Sequence, residues 1–460
     1  MWPGGTAGSR ADVADPAAEF NRLVAADPRA AREQAQWLEE AFQRAGITFD
    51  GQPMRTCLRP HFVGRAQWDT LRAAGRRLME IAARVARHVF DGDVGALCAY
   101  LGTPEAEARW VRLDPGPPDV LLSRLDAFLG ADGPHFIEIN SDAPAGFGYG
   151  DRMAEVFSDL PLFRAFARDH PVHYAPSLPA LVDAMVWTWR SKGGAASSSS
   201  PVIAIADWAD VKTRADQEIV CARFEAVGFD CVLADPRAME IKGGRLIADG
   251  RPVDLVYRRA VLSEIVAREG QMPALLEAYR DGLAFFVNSF RCRLSEDKAF
   301  FAILTDESFA SLMTPEEAQL VRRVVPWTRR VAERRTLRAG TEVDLVPYAI
   351  EHRPELVLKP AHGYGGRSVL VGDETTPEAW ESAVQEGLRE PWVVQERVHI
   401  PEEVFPLLEE DGEVGLSSLK VNVNPFFVDG ADVGAVTRAS RHSVINVSAG
   451  GGSVPTFVVG

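Results

Sequence analysis

The chain of 460 residues predicts an α/β (α+β) protein built from two or three structural units. Its length exceeds what one simple core accommodates. Between 201 and 258 the order strand, helix, strand predicts a parallel βαβ arrangement, Rossmann-like in kind. On either side lie strand pairs joined by glycine-rich turns, at 120–146 and at 356–371. Boundaries are expected near 190, 201 and 290, giving units of 1–190, 201–290 and 291–460.

The elements follow from periodicity. Residues 15–45 and 66–90 carry Ala, Leu, Val and Phe at three- and four-residue spacing among Arg and Glu, which predicts helices. A hairpin over 120–140 follows, then the Gly/Pro-rich loop Ala143–Gly150, a helix running into Phe166, and a helix around Leu178–Trp189. Ser191-Lys192-Gly193-Gly194-Ala195-Ala196 and four serines read as a linker or surface loop by composition. PVIAIAD opens the next unit as a buried strand, Arg214–Val227 is an amphipathic helix, DCVLAD and LVYRR are further strands, and GGRLIADGRPVD is a small hairpin. No GxGxxG follows the first of these strands, so dinucleotide binding is not predicted. The last unit reads as a helix over Glu296–Leu304, the strand LVLKP, the loop AHGYGGRS, the strand VLVG, a helix over Pro377–Arg389 and the strand WVVQERV. The C-terminus is mostly β. There are no internal repeats.

The most informative stretch is VLLSRLDAFLGADGPHFIEINSDAPAG, Val120–Gly146. Side chains alternate along a strand, so Arg124 and Asp126 share a face, as do Glu138 and Asn140. If Leu129 and His135 close the loop, Asp126 lies opposite Glu138 and Arg124 opposite Asn140. Opposed carboxylates repel unless a cation or proton lies between them. Two carboxylates and an amide oxygen suit Mg²⁺ that also holds phosphates. The alternative is a solvated polar face on which Arg124 neutralises one acid.

Lys359-Pro-Ala-His-Gly-Tyr-Gly-Gly-Arg-Ser368 is the second feature. Glycines 363, 365 and 366 let backbone N–H groups approach phosphate oxygens, and Lys359 adds a point charge. A Walker A loop opens a helix, whereas this one precedes Val369-Leu370-Val371, a strand. The alternative is a Gly-rich hairpin beside a surface lysine. Some thirty residues on, Gln395–Val398 offers strand backbone to an adenine edge, with Glu396 accepting from a base amine or ribose hydroxyl. Lys298 heads its predicted helix, where the backbone is already positive; a phosphate, a salt bridge to Glu296 or solvent exposure would each reconcile this. Arg438 and Arg441 are candidate anion binders before the glycine-dense loop Asn446–Ser453, which contains Gly450–Gly452.

Composition narrows the classes. Hydrophobic content of 46% and charged content of 25% are those of a folded globular protein. A net charge of −15 argues against nucleic acid as a partner and is compatible with a cationic substrate. Five scattered cysteines without a CxxC pair indicate neither a disulfide framework nor a zinc site. Cys292, between two arginines, is either a small packed residue or a thiol of lowered pKa. The N-terminus lacks a secretion signal, and no apolar run approaches the roughly 20 residues of a membrane span. A cytoplasmic protein, with no membrane partner, is expected.

Together these motifs resemble the circularly permuted ATP-grasp family, including the synthetase domain of glutathionylspermidine synthase. The RxD…ExN pattern of that metal site matches Arg124, Asp126, Glu138 and Asn140. NSFRCRLSEDKAFFAIL, KPAHGYGGRSV and the TR…NVSAGGG ending match as well, and 201–290 is similar to a pre-ATP-grasp domain. The order, metal constellation before nucleotide loop, is what makes the resemblance a permuted one. It implies an ATP- and Mg²⁺-dependent carboxylate–amine ligase acting on small molecules or peptides through an acyl phosphate. Asp126, Glu138 and Asn140 are then metal ligands and Arg124 the charge-stabilising residue. Lys298, Lys359, Gly363, Gly365, Gly366, Gln395 and Glu396 serve the nucleotide. An amidase domain with a catalytic cysteine is absent from the sequence, so glutathionylspermidine hydrolysis is not expected. An ATP-dependent carboxylate kinase and a non-catalytic nucleotide- or partner-binding protein remain alternatives.

Overall fold

A computed structural model describes residues 15–116, 118–192, 200–363, 368–445 and 452–460. Proline sets the first boundary: the periodic run at 15–45 is two helices, Pro16–Ala26 and Pro28–Arg44. Between them Asp27 accepts the Ala30 amide at 3.0 Å and caps the second. The run at 66–90 is one helix, Arg65–His88, whose Leu71, Leu78, Ile81 and Val85 are buried. No described helix is long and apolar enough to cross a membrane.

Among the described residues, three sheets position the cleft that matters for function. The largest has eight strands, and its main path runs His61–Gly64, Gly452–Val459, Ala431–Ser440, Val414–Val428, Leu122–Gly130, Gly133–Asn140. It joins the early hairpin to the last strands of the chain. A four-stranded parallel sheet has the order Phe285–Val287, Leu255–Arg258, Ile203–Ala206, Cys231–Ala234. Its Ile203–Ala206 strand is buried at every position, as expected where helices cover both faces. The GGRLIADGRPVD hairpin is a three-stranded sheet rather than two, because Glu240–Lys242 adds in front of it.

The third sheet, Thr328–Arg330, Trp392–Glu396, Leu356–Pro360, Leu370–Val371, is antiparallel. It has its own core, in which Leu356, Leu358, Trp380 and Val394 pack together. Alternation then turns Val357, Lys359 and Gln395 to the opposite face, into the cleft.

One expectation changes and one open alternative is decided. The helix over Glu296–Leu304 is instead two short helices, Arg293–Glu296 and Phe300–Thr305. Asp297 breaks the run by turning its carboxylate onto the Ala299 amide at 2.8 Å. Lys298 therefore sits in a turn and heads no helix. Cys292 is fully buried, with burial pushing its thiol well above the ordinary value and Asp142 adding to the rise. The packed reading of Cys292 stands; flanking arginines in sequence do not determine what a thiol faces.

Candidate functional site

The hairpin reaches the expected pairing by an unexpected route. Gly130 pairs with Gly133, Leu129 with Pro134 and Phe128 with His135, so the loop closes one residue earlier than Leu129–His135. Continued without interruption, that register would set Asp126 against Ile137 and turn Glu138 and Asn140 into the core. A bulge between Asp126 and Ala127 on one strand and at Ile137 on the other restores Asp126↔Glu138 and Arg124↔Asn140. Its effect is visible in the side chains. Phe136 and Ile139 are buried in the core, whereas Ile137, Glu138 and Asn140 line the cleft.

Asn288 holds both open ends of this hairpin. Its amide oxygen accepts the Leu121 and Leu122 amides at 2.7 and 3.0 Å, and its amide nitrogen donates to the Leu122 and Ser141 carbonyls at 2.7 and 2.6 Å. The loop after Asn140 is fixed to the parallel sheet. Arg258 donates to Asp142, Arg259 donates to the Pro144 carbonyl, and both arginines are buried. Gly146 starts the next helix at φ 106°, a left-handed conformation suited to glycine, and Asp216 accepts its amide at 3.0 Å.

These elements enclose a cleft of about 300 Å³. It is lined by Arg124, Asp126, Glu138, Asn140, Lys298, Lys359, Gln395, Glu396 and Arg438, and not by Cys292, Gly363, Arg441 or Gly452. Gly365, Gly366 and the Gly450–Gly451 part of the last loop lie outside the described residues.

Asp126 is the electrostatic centre. Its Oδ1 accepts from Arg124 Nε at 2.9 Å and Asn140 Nδ2 at 3.0 Å, and its Oδ2 from Arg438 Nη1 at 3.0 Å. Arg438 lies two strands away, opposite Asn422, and reaches across to the acid. Burial opposes ionisation of Asp126, but Arg124 and Arg438 outweigh it and hold the carboxyl below its ordinary range. Lys298 bridges the two halves of the site, 2.8 Å from Glu138 and 2.8 Å from the Gly363 carbonyl. Lys359 donates to Gln395 Oε1 at 2.7 Å, and Gln395 Nε2 donates to Thr328 at 2.9 Å. The Gln395 side chain thus orients a lysine. Burial drives the Lys359 ammonium down to about 8, with Glu138 opposing the fall.

Glu396 is paired with Arg338 at 2.6 Å, so it is no free strand acid. The amides of Glu396 and Arg397 donate to the Trp327 and Glu355 carbonyls at 2.8 Å each. Arg441 is exposed and bound to Glu409 at 2.9 Å, away from the cleft. Two participants are invisible in the linear pattern: Gln395 as a lysine support and Glu296 as a cleft acid. The acid preceding Asp297-Lys298 was the only available sign of the latter.

Three oxygen donors, Asp126, Glu138 and Asn140, converge on this cleft. A carboxylate oxygen has two lone pairs. Asp126 Oδ2, with one hydrogen bond, keeps one for a cation. Among the described residues no group of three His, Cys, Asp or Glu side chains is placed to hold a metal. Two carboxylates and an amide oxygen are a donor set of the kind that suits a hard cation such as Mg²⁺.

No protein-family model matches the chain. A putative glutamate–cysteine ligase of Frankia alni is 25% identical over 457 residues, covering 90% of this chain and 48% of the relative. An uncharacterized protein of Synechocystis sp. is 26% identical over 255 residues, 49% of each chain. The chain spans about half the length of these curated relatives. A glutathione synthetase-like effector from Globodera pallida, solved in its apo form, superposes with a TM-score of 0.61. The match has 12% identity and covers 94% of this chain and 98% of that one. The fold is similar to that of a glutathione synthetase-like protein. This mixed helix-and-sheet likeness extends over nearly the whole chain.

Proposed function

We propose that the protein is an ATP- and Mg²⁺-dependent carboxylate–amine ligase of circularly permuted ATP-grasp type, with 201–290 as a Rossmann-like pre-ATP-grasp domain. One observation carries the reading. The acid pair of the 122–140 hairpin and the lysine of the Leu356–Pro360 strand, more than 200 residues apart, line one cleft, and Lys298 ties Glu138 to the Gly363 carbonyl beyond that strand. The relative named a putative glutamate–cysteine ligase supports the ligase class.

In this reading the adenine lies against Val357, Val371, Val398 and Ile400, beside Gln395 and Glu396. Lys298 and Lys359 neutralise the phosphates, with Gly363, Gly365 and Gly366 supplying backbone donors. Asp126, Glu138 and Asn140 would hold Mg²⁺, which would supply charge neutralisation for the phosphates. Lys298 leaves Glu138 for phosphate when the nucleotide binds; the ligand-free contact keeps both charges compensated until then. The substrate carboxylate attacks the γ-phosphorus and ADP departs, leaving an acyl phosphate. The amine then attacks the acyl carbon, phosphate leaves, and the amine nitrogen gives up a proton. Arg124, aimed from the strand beside Asp126, stabilises charge developing in both displacements. No protein nucleophile is used.

The test is ADP release with candidate carboxylates and amines supplied singly and together. The ligase reading expects ADP that depends on both. ADP with a carboxylate alone would favour a carboxylate kinase. No ADP under any pairing, with no thermal stabilisation by Mg²⁺-ATP, would reject a nucleotide-dependent enzyme.

A further inference from the structure

We infer that Glu296 is the ammonium-binding residue of the cleft, and that the amine substrate enters as a cationic primary amine held by this carboxylate. The inference rests on the ligase reading and deepens it. Glu296 closes the short Arg293–Glu296 helix and lines the cleft with 17% of its side chain accessible. Its aim is fixed. Oε2 accepts the Ser141 amide at 2.8 Å and also the Asp142 amide, immediately after the hairpin that carries Asn140. This anchors the acid just beyond the proposed metal ligands.

Its countercharge is distant and shared. The nearest is Arg293, whose Nη1 stands 3.9 Å from Oε1. Arg293 also contacts His362 at 2.9 Å, Glu107 at 3.5 Å and Asp297 at 3.9 Å. Lys298, two residues on, is turned to Glu138 and the Gly363 carbonyl. Asp142, the neighbouring acid, takes Arg258 for itself. Burial, then Asp142, raise the Glu296 carboxyl to about 7. A buried carboxylate short of countercharge is an energetic burden that an incoming ammonium relieves.

The surroundings discriminate among ligands. Ala143, Pro144, Ala145 and Val261 line the same cleft as Glu296 and offer apolar contact, while Arg124 and Arg259 are turned to the Ala145 and Pro144 carbonyls. A substrate carboxylate is repelled here by two acids and is drawn instead toward Arg124 and Arg438. An alkylammonium matches charge and wall together. The acidic net charge of −15 favours approach of such a cation.

The experiment compares 1,4-diaminobutane with 1,4-butanediol, nearly equal in shape but different in charge, on the full chain with saturating Mg²⁺-ADP. Affinity is read by calorimetry and thermal shift. Glu296→Gln keeps an oxygen for the Ser141 and Asp142 amides. The diamine is expected to bind wild type and the diol not to. Glu296→Gln should weaken the diamine by about tenfold or more, the scale of a lost charge-assisted hydrogen bond, while the Mg²⁺-ADP shift persists. Equal diamine affinity in Glu296→Gln, or no diamine binding to wild type that still binds Mg²⁺-ADP, overturns the inference. Loss of Mg²⁺-ADP binding by wild type, with diamine binding retained, overturns the nucleotide reading and leaves the amine site standing.

Discussion

Raising the pH should weaken nucleotide binding through one residue, Lys359. Its ammonium is 8% exposed and titrates near 8 instead of the ordinary 10.5, because burial removes water that the charge needs. The difference corresponds to on the order of 3 kcal/mol, at about 1.36 kcal/mol per pKa unit. A bound phosphate chain supplies countercharge and returns the pKa upward, so the ligand-free protein must take up a proton to bind above pH 8. Affinity for Mg²⁺-ATP should be flat below about pH 7.5 and then fall toward tenfold per pH unit, reaching roughly thirtyfold at about pH 9.5. Calorimetric titration across this range measures it, and ATP itself is fully ionised over the relevant part. Lys359→Met should bind weakly and show no such slope. A flat wild-type profile, or the same slope in Lys359→Met, refutes the assignment of Lys359 as a phosphate-binding cation.

The sign of the stability effect runs the other way. A base whose folded pKa is depressed binds fewer protons folded than unfolded, so its destabilisation is fully present below about pH 8 and is relieved as pH rises toward 10.5. Lys359→Met should therefore stabilise the ligand-free protein at pH 7 by about 1–3 kcal/mol while weakening nucleotide binding; denaturant melts decide the first. Arg124→Ala should lower kcat by about 10²–10³-fold with little change in Mg²⁺-ATP affinity, the pattern of a group acting on developing charge. Asn288→Ala leaves four backbone groups at the hairpin ends without their partner. It should cost at least about 2 kcal/mol by denaturant unfolding. Gly148→Ala brings a Cβ to 2.7 Å from the Asp216 carbonyl, and a loss of about 1–3 kcal/mol is expected in the same assay.

Some of this architecture could be read directly because its physics is local. The parallel strands PVIAIAD, DCVLAD and LVYRR show as short apolar runs bounded by turns, and the structure pairs them in parallel. Glu138 was placed opposite Asp126, but from a loop closure that the chain does not use. The bulge that corrects the register at Ile137 depends on packing Phe136 and Ile139 into the core, which no local pattern reveals. The break at Asp297 had a local cause, a short acid able to accept a nearby amide, yet apolar periodicity on both sides masked it. The contacts that shape the site most are long-range. Arg438 crosses two strands to Asp126, Lys298 meets Glu138, and Gln395 steadies Lys359. Each depends on the sheet order that joins the chain's last strands to its early hairpin.

In the proposed ligase these separated segments form one nucleotide–metal site that drives amide formation. Amide product and ADP should be quantified together, under Mg²⁺-ATP, a carboxylate and an amine, for wild type and for Asp126→Asn/Glu138→Gln. Wild type should yield equal amounts of ADP and amide, and the folded double variant neither. ADP without amide, or a double variant as active as wild type, would contradict it.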